Sequence, residues 1–584
     1  MKKFPLILLT LLFIVSSYAQ PAYHRIWSVK SSDKGNTYNA RQFVYNDTIY
    51  TLKGTLNEEK NAIKYIALPD SNTGVLAALG TPDNTTILDI HFDGENYIYV
   101  SGNTTQSENF ATPGTSRTTY SYNNFTGGDG FVACFSLSGE LQWCTYTDGI
   151  ITEGILNRSI VVDDEGNVYV IGRKSNEELI EDAPFQSTVT QYDEFPLSGM
   201  AQTITKLNNQ GQYVWSTFFG TRNTIIWDIE TVNDGIILMG SVNSGINSPP
   251  PENLNYFSTE GAYQENPRLN SQGGFAFNQF INKFNFDGTR AWGTYFNDDA
   301  FGINWIETYG NAIYLVSYSH SGNGTIENIA TEGAFIEDPE TYNQYSALAK
   351  MNPDGSGLLW ITYTSNSAFS HNYNSVSINS DGNIWLFGQT DSFEGVATEN
   401  AYQTEKDPTP SYLLSHSDAY HLLLSNDGST VLYATYFGFD GKEVTGAIFP
   451  AENGYYSVEQ TSGNSDAENF ITQGALLEPD EEGSSTYGGL VYTYFSTEPV
   501  SSGTFDKKKI SIYPNPAENV LHLTGEIEGF TKIDIYNMQG QRVFQQPINT
   551  SEIISVDINS LASGVYLLTI SNTTDKQTYR VVKK

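Results

Sequence analysis

Five stretches of this chain repeat one pattern: QWCTYT at 142–147, VWSTFF at 214–219, AWGTYF at 291–296, LWITYT at 359–364 and VLYATYF at 431–437. Anchored on Trp143, Trp215, Trp292, Trp360 and Tyr433, the copies lie 72, 77, 68 and 73 residues apart. A period of this length in Gly- and aromatic-rich sequence means one small sheet built again and again, with each copy burying its faces against its neighbours. Composition agrees with short strands joined by polar turns: aromatics are 13% of the 584 residues and charged residues only 16%, with 51 Gly and 38 Tyr.

Within the unit between Asn157 and Gly220 four β segments can be read: SIVVD, VYVIG after a DEGN turn, then TITKLN and QYVWSTFFG around NNQG. A long loop carrying APFQ separates the second from the third. The turns DEGN, SDGN, NQGQ and FDGT put Asn, Asp and Gly where tight hairpins need positive φ, so their carboxylates are explained first as turn chemistry. A degenerate box marks the long loop at Thr259–Ala262, Thr331–Ala334, Thr398–Ala401 and Thr472–Ala475. Four antiparallel strands with one long loop make a propeller blade.

Weaker copies set the blade count. ARQFVYNDTIYTLKG with AIKYIALPDSNTGVLAALG reads as a shortened first blade, and TGAIFPAENGYYSVEQT with GGLVYTYFS as a last blade lacking its Trp strand. HRIWSVK, with Trp27, supplies that strand from the other end of the chain. The expected fold is all-β: a seven-bladed β-propeller over 20–496 whose N-terminal strand closes the last blade, removing the exposed edges of an open array. The pattern DGN-hYhhG, an Ala-aromatic box and G-x-x-x-W-x-T-Y-F-G resembles the SBBP-type β-propeller repeats of secreted bacterial proteins. That resemblance covers residues 22 to 496 and implies a scaffold, since the repeats carry no known catalytic residues.

Residues 1–19 read as a signal peptide: Lys2 and Lys3, an apolar run from Phe4 to Val15, then the small-x-small pattern of Ser17-Tyr18-Ala19. Cleavage is expected between Ala19 and Gln20. The run is shorter than the ~20 residues that span a bilayer, and no later segment is long and apolar enough, so no transmembrane segment is expected in the mature chain. The formal charge is −36, with residues 1–506 carrying −38 and 507–584 carrying +2. Such a surface disfavours nucleic acid and anionic lipid. Cys134 and Cys144 flank a turn in CFSLSGELQWC, on strands expected to pair, which makes a local disulfide the expectation for an exported protein.

After a Pro, Ser, Gly and Lys-bearing linker at 497–508, alternating β sequence resumes at 509–584 with strands near Ile510, Val520, Lys532, Arg542, Ile553, Val565 and Tyr579. In KIDIYN, Ile533 and Ile535 alternate with Lys532 and Asp534, as on a strand with one buried face of a small Ig-like β-sandwich. The segment resembles the type A C-terminal sorting domain of the Bacteroidetes type IX secretion system, through Tyr513-Pro514-Asn515-Pro516, the IYNMQGQRV hairpin with Gly540, SLASGVYLLTI with Gly564 and Tyr566, and the basic residues Arg580, Lys583 and Lys584. The resemblance implies export by that machinery, removal of the domain, and release or attachment at the outer-membrane surface.

No HExxH, GxSxG, Walker loop or Cys/His metal cluster occurs. His416 and His421 sit near Asp418, with His421 expected inside a strand. Ser31–Tyr38 resembles a single Asp box of sialidase-like propellers, with Tyr38 in place of Trp; it reads as a turn. No cofactor is expected; acidic loops would permit Ca²⁺, without a calcium-loop spacing. These features predict a monomeric, secreted or cell-surface protein with no catalytic residues that binds a glycan or a surface protein through loops such as 243–271. A glycan-active hydrolase or lyase using loop carboxylates is the alternative.

Overall fold

The structure is a computed structural model. It describes residues 23–584 except 32–41, 53–59, 68–71, 121–127, 148, 152–157, 176–179, 189–199, 222–223, 243–254, 270–276, 297–301, 321–329, 339–343, 365–374, 391, 393–394, 407–417, 439–441, 452, 463–489, 498–509, 514, 516, 526, 528–529, 538–541, 549–552 and 573–575. The expected cleavage site Ala19-Gln20, the Asp-box-like segment after Ser31, the box at 472–475 and His416 therefore lie outside the described residues.

Chain contacts separate two units, Met1–Pro499 and Val500–Lys584. The first contains, among the described residues, seven four-stranded antiparallel sheets. Six are sequential: Gln42–Tyr45 to Asn72–Ala78, Thr85–Phe92 to Leu141–Tyr146, Ile160–Val162 to Tyr213–Phe218, Thr224–Val232 to Arg290–Phe296, Ile303–Tyr309 to Leu358–Tyr363, and Ser375–Ile378 to Val431–Phe437. The seventh takes Lys442–Ala451, Gly454–Ser462 and Leu490–Ser496 from the C-terminal side and His24–Ser31 from the N-terminal side. Trp27 pairs with Tyr494 in that register, as the repeat predicts. First strands of successive sheets touch one another, so they gather as an inner ring with the Trp strands outermost. The ring closes where Ile49 and Ile66 of the first blade pack on Tyr456, Val458 and Tyr492 of the last, and the Tyr456 hydroxyl donates to Asp47.

The repeated Trp joins each blade to the next. The indole N–H of Trp143 donates to the Asn209 carbonyl at 2.9 Å, that of Trp215 to Phe286 at 3.1 Å and that of Trp292 to Pro353 at 2.9 Å. These acceptors lie in the outer hairpin turn of the following blade, and the turn glycine packs flat on the ring. At Gly355 a Cβ would come 2.4 Å from Trp292, and φ is +73°, so the position admits little but glycine. The box residues cap the otherwise open outer edge. The backbone N–H groups of the box residues Thr259, Thr331 and Thr398, and of Thr112 in the long loop of the second blade, donate to carbonyls of the Trp292, Trp360, Tyr433 and Trp143 strands at 2.8 to 2.9 Å. In turn the Thr of W-x-T accepts from the loop: Gln186 N–H to Thr217 at 2.7 Å, Gln264 to Thr294 and Gln403 to Thr435 at 2.9 Å.

The expected disulfide is absent. Both cysteines are free and buried. A bulge in the hairpin pairs Cys134 with Trp143 and Cys144 with Ala133, so the thiols fall on opposite faces of the sheet. Cys134 packs with Tyr99, Trp143 and Val168, and Cys144 with Phe110, Phe131 and Tyr146. Burial pushes the Cys134 thiol up to about 12 and raises that of Cys144 further, keeping both protonated.

The second unit has its seven strands where the sequence places them, as a three-stranded sheet, Ile510–Tyr513, Val520–Gly525 and Ile553–Asp557, and a four-stranded sheet, Arg542–Pro547, Lys532–Asn537, Gly564–Ser571 and Lys576–Lys583. The sheets share one core, including Leu521, Leu523, Ile533, Ile535, Val556, Leu568 and Ile570. One departure is Asp534: it is buried too, with Lys532 Nζ at 3.2 Å and Arg542 Nη1 at 3.5 Å, so the alternation in KIDIYN is not a simple inside-outside pattern.

Candidate functional site on the inner ring

Repeat geometry builds the site. Asp89 and Asp228 occupy one slot of the unit, just after a register shift in the first strands of the second and fourth blades. Asp89 accepts from the Ile160 backbone N–H and the Ser159 hydroxyl, both at 3.1 Å, and Asp228 from the Ile306 N–H at 3.1 Å. Each carboxylate thus ties its blade to the first strand of the next. Arg158, immediately before the first strand of the third blade, reaches into this ring. Its guanidinium pairs with Glu230, meets Glu307 Oε2 at 2.8 Å and has Nε 4.0 Å from Asp228.

Four blades are therefore linked through charge at the inner ring. Desolvation pushes the fully buried Asp228 carboxyl up to about 6 even though Arg158 opposes the shift. Burial also works against the Arg158 charge, but Glu307 and then Asp228 outweigh it and hold that pKa above the arginine range. The His91 imidazole is pushed down to about 4 by desolvation, with Asp89 acting in the other direction. Among the described residues no group of three or more His, Cys, Asp or Glu side chains is placed to hold a metal ion.

Further along the same strands a cavity of about 370 Å³ opens among three successive inner turns. It is lined by Asp163, Asp164 and Glu165 of the third blade, Thr231, Val232, Asn233 and Phe286 of the fourth, and Thr308, Tyr309 and Gly310 of the fifth. Asp163 is spent on its own turn: Oδ1 accepts from the N–H groups of Glu165 and Asn167 at 3.0 and 2.8 Å, and Oδ2 from Tyr169 at 2.9 Å. Asp164 and Glu165 are exposed. Tyr309 is 45% exposed, its ring held by a hydroxyl bond to the Ser380 carbonyl at 2.8 Å.

His421, singled out by sequence, lies in the strand that the sequence predicts for it. It is buried in its strand among Phe387, Phe437, Tyr455 and Phe495, with Nδ1 3.0 Å from the Tyr455 hydroxyl. Of the sorting-motif residues, Tyr513 is exposed, Gly564 begins its strand, and the Tyr566 hydroxyl donates to the Ala562 carbonyl at 2.9 Å. Asn515 clamps the last strand: its amide donates to the Arg580 carbonyl at 2.9 Å and its oxygen accepts from the Val582 N–H at 2.8 Å. Pro514, Pro516 and Gly540 lie outside the described residues. Sequence reasoning missed Arg158, Glu230 and Glu307, although the matching D-I of ILDIHF and IIWDIE marked the slot from which the cluster grows.

Residues 511–584 match the family described as the secretion system C-terminal sorting domain. A search of curated proteins gave no match to the chain. Among solved structures the chain is similar to prolyl oligopeptidase B from Galerina marginata, at 9% identity and a TM-score of 0.37, covering 87% of this chain and 57% of that one. It is also similar to the β-propeller domain of the Trilobed protease from Pyrococcus furiosus, at 9% identity and a TM-score of 0.32, covering 85% and 95%. Kuenenia stuttgartiensis hydrazine synthase is similar at 9% identity and a TM-score of 0.34, over 74% and 94%. The chain spans little more than half the length of the prolyl oligopeptidase.

Proposed function

We propose that this protein, which carries a type IX secretion sorting domain on a β-propeller, acts at the cell surface or in the medium by binding, as an adhesion or scaffold protein for a glycan or a surface protein. Its N-terminal segment acts as the signal peptide for the first export step, and its repeats are of the SBBP type. The observation that carries the binding reading is the state of the inner-ring acids. Of the inner-ring carboxylates, Glu230 and Glu307 are engaged by Arg158, and Asp89 and Asp228 accept from backbone N–H groups of the next blade, so each is held by a partner and not presented to a substrate as a general acid or base. The residues that sequence reading finds conspicuous, the Trp, the turn Gly and the box Thr, are absorbed by packing and edge capping.

The test is a panel of neutral and acidic glycans and surface-protein extracts presented to the purified full chain, scored both for retention and for product release. Retention without product release is expected. Turnover of any substrate, lost on replacing one acid without loss of folding, would favour the hydrolase reading.

A further inference from the structure

We propose that the cavity between the third, fourth and fifth blades takes a cationic group on a flexible side chain, with an arginine of a partner peptide as its occupant. The inference rests on reading the propeller as a binding protein and names the chemistry of one site on it. Charge is the first reason. Three acids line the cavity and two more, Glu230 and Glu307, stand one residue deeper on the strands that supply Thr231 and Thr308. The cations near them are committed. Arg158 is shared between Glu230 and Glu307. Lys206, buried behind Phe286, donates to the Phe286 carbonyl at 3.2 Å and lies 5.1 Å from the Tyr169 ring. Five acids thus stand against the two cations Arg158 and Lys206, and a cation entering the cavity meets a net negative field, reinforced by the −38 of residues 1–506.

Shape and surface chemistry give the second reason. Asp164 and Glu165 present carboxylates at the mouth, which can be approached by a planar fork of N–H donors. Tyr309 offers a ring face whose orientation is fixed from behind by Ser380, so stacking a guanidinium on it orders little that is not already ordered. Thr231, Asn233 and Thr308 add polar side chains around the wall, and Phe286 a half-buried apolar one. The protein uses the same chemistry internally, with Arg290 5.1 Å from the Phe185 ring and Lys350 5.1 Å from that of Tyr314. A neutral sugar could use the aromatic face but would leave the acid excess unanswered.

The experiment titrates the full chain with the peptide acetyl-Gly-Arg-Gly-amide and with its citrulline counterpart, which keeps the shape and removes the charge; spermidine serves as a free polyamine. Saturable binding of the arginine peptide is expected, weakened by salt, with the citrulline peptide at least about tenfold weaker. Neutralising the mouth with Asp164→Asn and Glu165→Gln together should weaken it about tenfold, two exposed charge contacts being of that size. Tyr309→Ala should weaken it as well. Asp164 and Glu165 are exposed turn residues and Tyr309 is an exposed strand end, so an unchanged melting temperature verifies that folding is intact. Spermidine binding as tightly as the peptide would assign the site to free polyamines and overturn the peptide occupant. Equal binding of arginine and citrulline peptides, indifference to the mouth variants, or no binding would overturn the proposal. If a glycan from the panel is retained while these peptides are not, the binding function stands and the cationic occupant falls.

Discussion

At His421 the fold encloses an imidazole among four aromatic rings and pushes its pKa down to about 3, by desolvation. An unfolded histidine titrates near about 6.5. As pH falls below that value the unfolded chain takes up a proton that the folded chain refuses until about 3, so stability is lost across this window. By about pH 5 the loss from this residue amounts to about 2 kcal/mol. His91, lowered to about 4, acts in the same direction. Asp228 acts oppositely: its folded pKa of about 6 exceeds the unfolded one, so acidification between about 6 and about 4 favours the folded state at that residue. Denaturant midpoints at about pH 7 and about pH 5 test this. The variant His421→Phe should be less stable near neutrality, since Tyr455 loses its partner, yet show a smaller loss on acidification than the parent protein. Equal losses in the two proteins would show that His421 is not the residue responsible. Sequence alone placed His421 in a strand; that its ring is sealed off depends on Tyr455 and Phe495 of the next blade, contacts that no local pattern encodes.

Between elements, the repeated units were legible because every blade solves one packing problem with the same residues. The Trp that sets the period lies on the Gly of the next blade's turn, and Thr at W-x-T receives the box loop, so periodic residues carry periodic contacts. The contact makes a test. Gly355→Ala adds a methyl against the Trp292 indole at a positive φ, and overpacking plus backbone strain should cost about 3 kcal/mol. Thermal unfolding reads the loss, and Gly333→Ala provides the contrast: φ is also positive there, at +83°, but nothing lies within 4 Å, so only the smaller backbone cost remains. Comparable losses in the two variants would mean that the Trp–Gly contact contributes little. What the pattern concealed came from breaks in it. The bulge after Cys134 turns the two thiols to opposite faces, and a one-residue slip of register is invisible in a strand's own sequence. Likewise Arg158, Glu230 and Glu307 meet only because three blades converge, each charge lying 72 or 77 residues from the next in sequence.

On the scale of the whole molecule, the charge divide and the two contact units mark the same division of labour. The core of the C-terminal unit is built wholly from residues between Ile510 and Val581, and the propeller closes on itself through Trp27 and Tyr494 without any of them. Removing residues 507–584 should therefore leave the propeller's melting temperature unchanged while abolishing passage across the outer membrane, so that cell fractionation finds the protein in the periplasm. A subtler variant separates sorting from bulk. Asn515→Ala removes the two hydrogen bonds from Asn515 to the last strand and leaves those of Ala517 and the pairing with Gly564–Ser571, while touching none of the shared core. Each such bond contributes about 1 kcal/mol, so the domain should remain folded but present its C-terminal strand less firmly. Export should then slow without stopping. Undiminished export of the truncated chain would remove the sorting role from this domain; undiminished export of the point variant alone would place recognition on a surface other than the clamped strand.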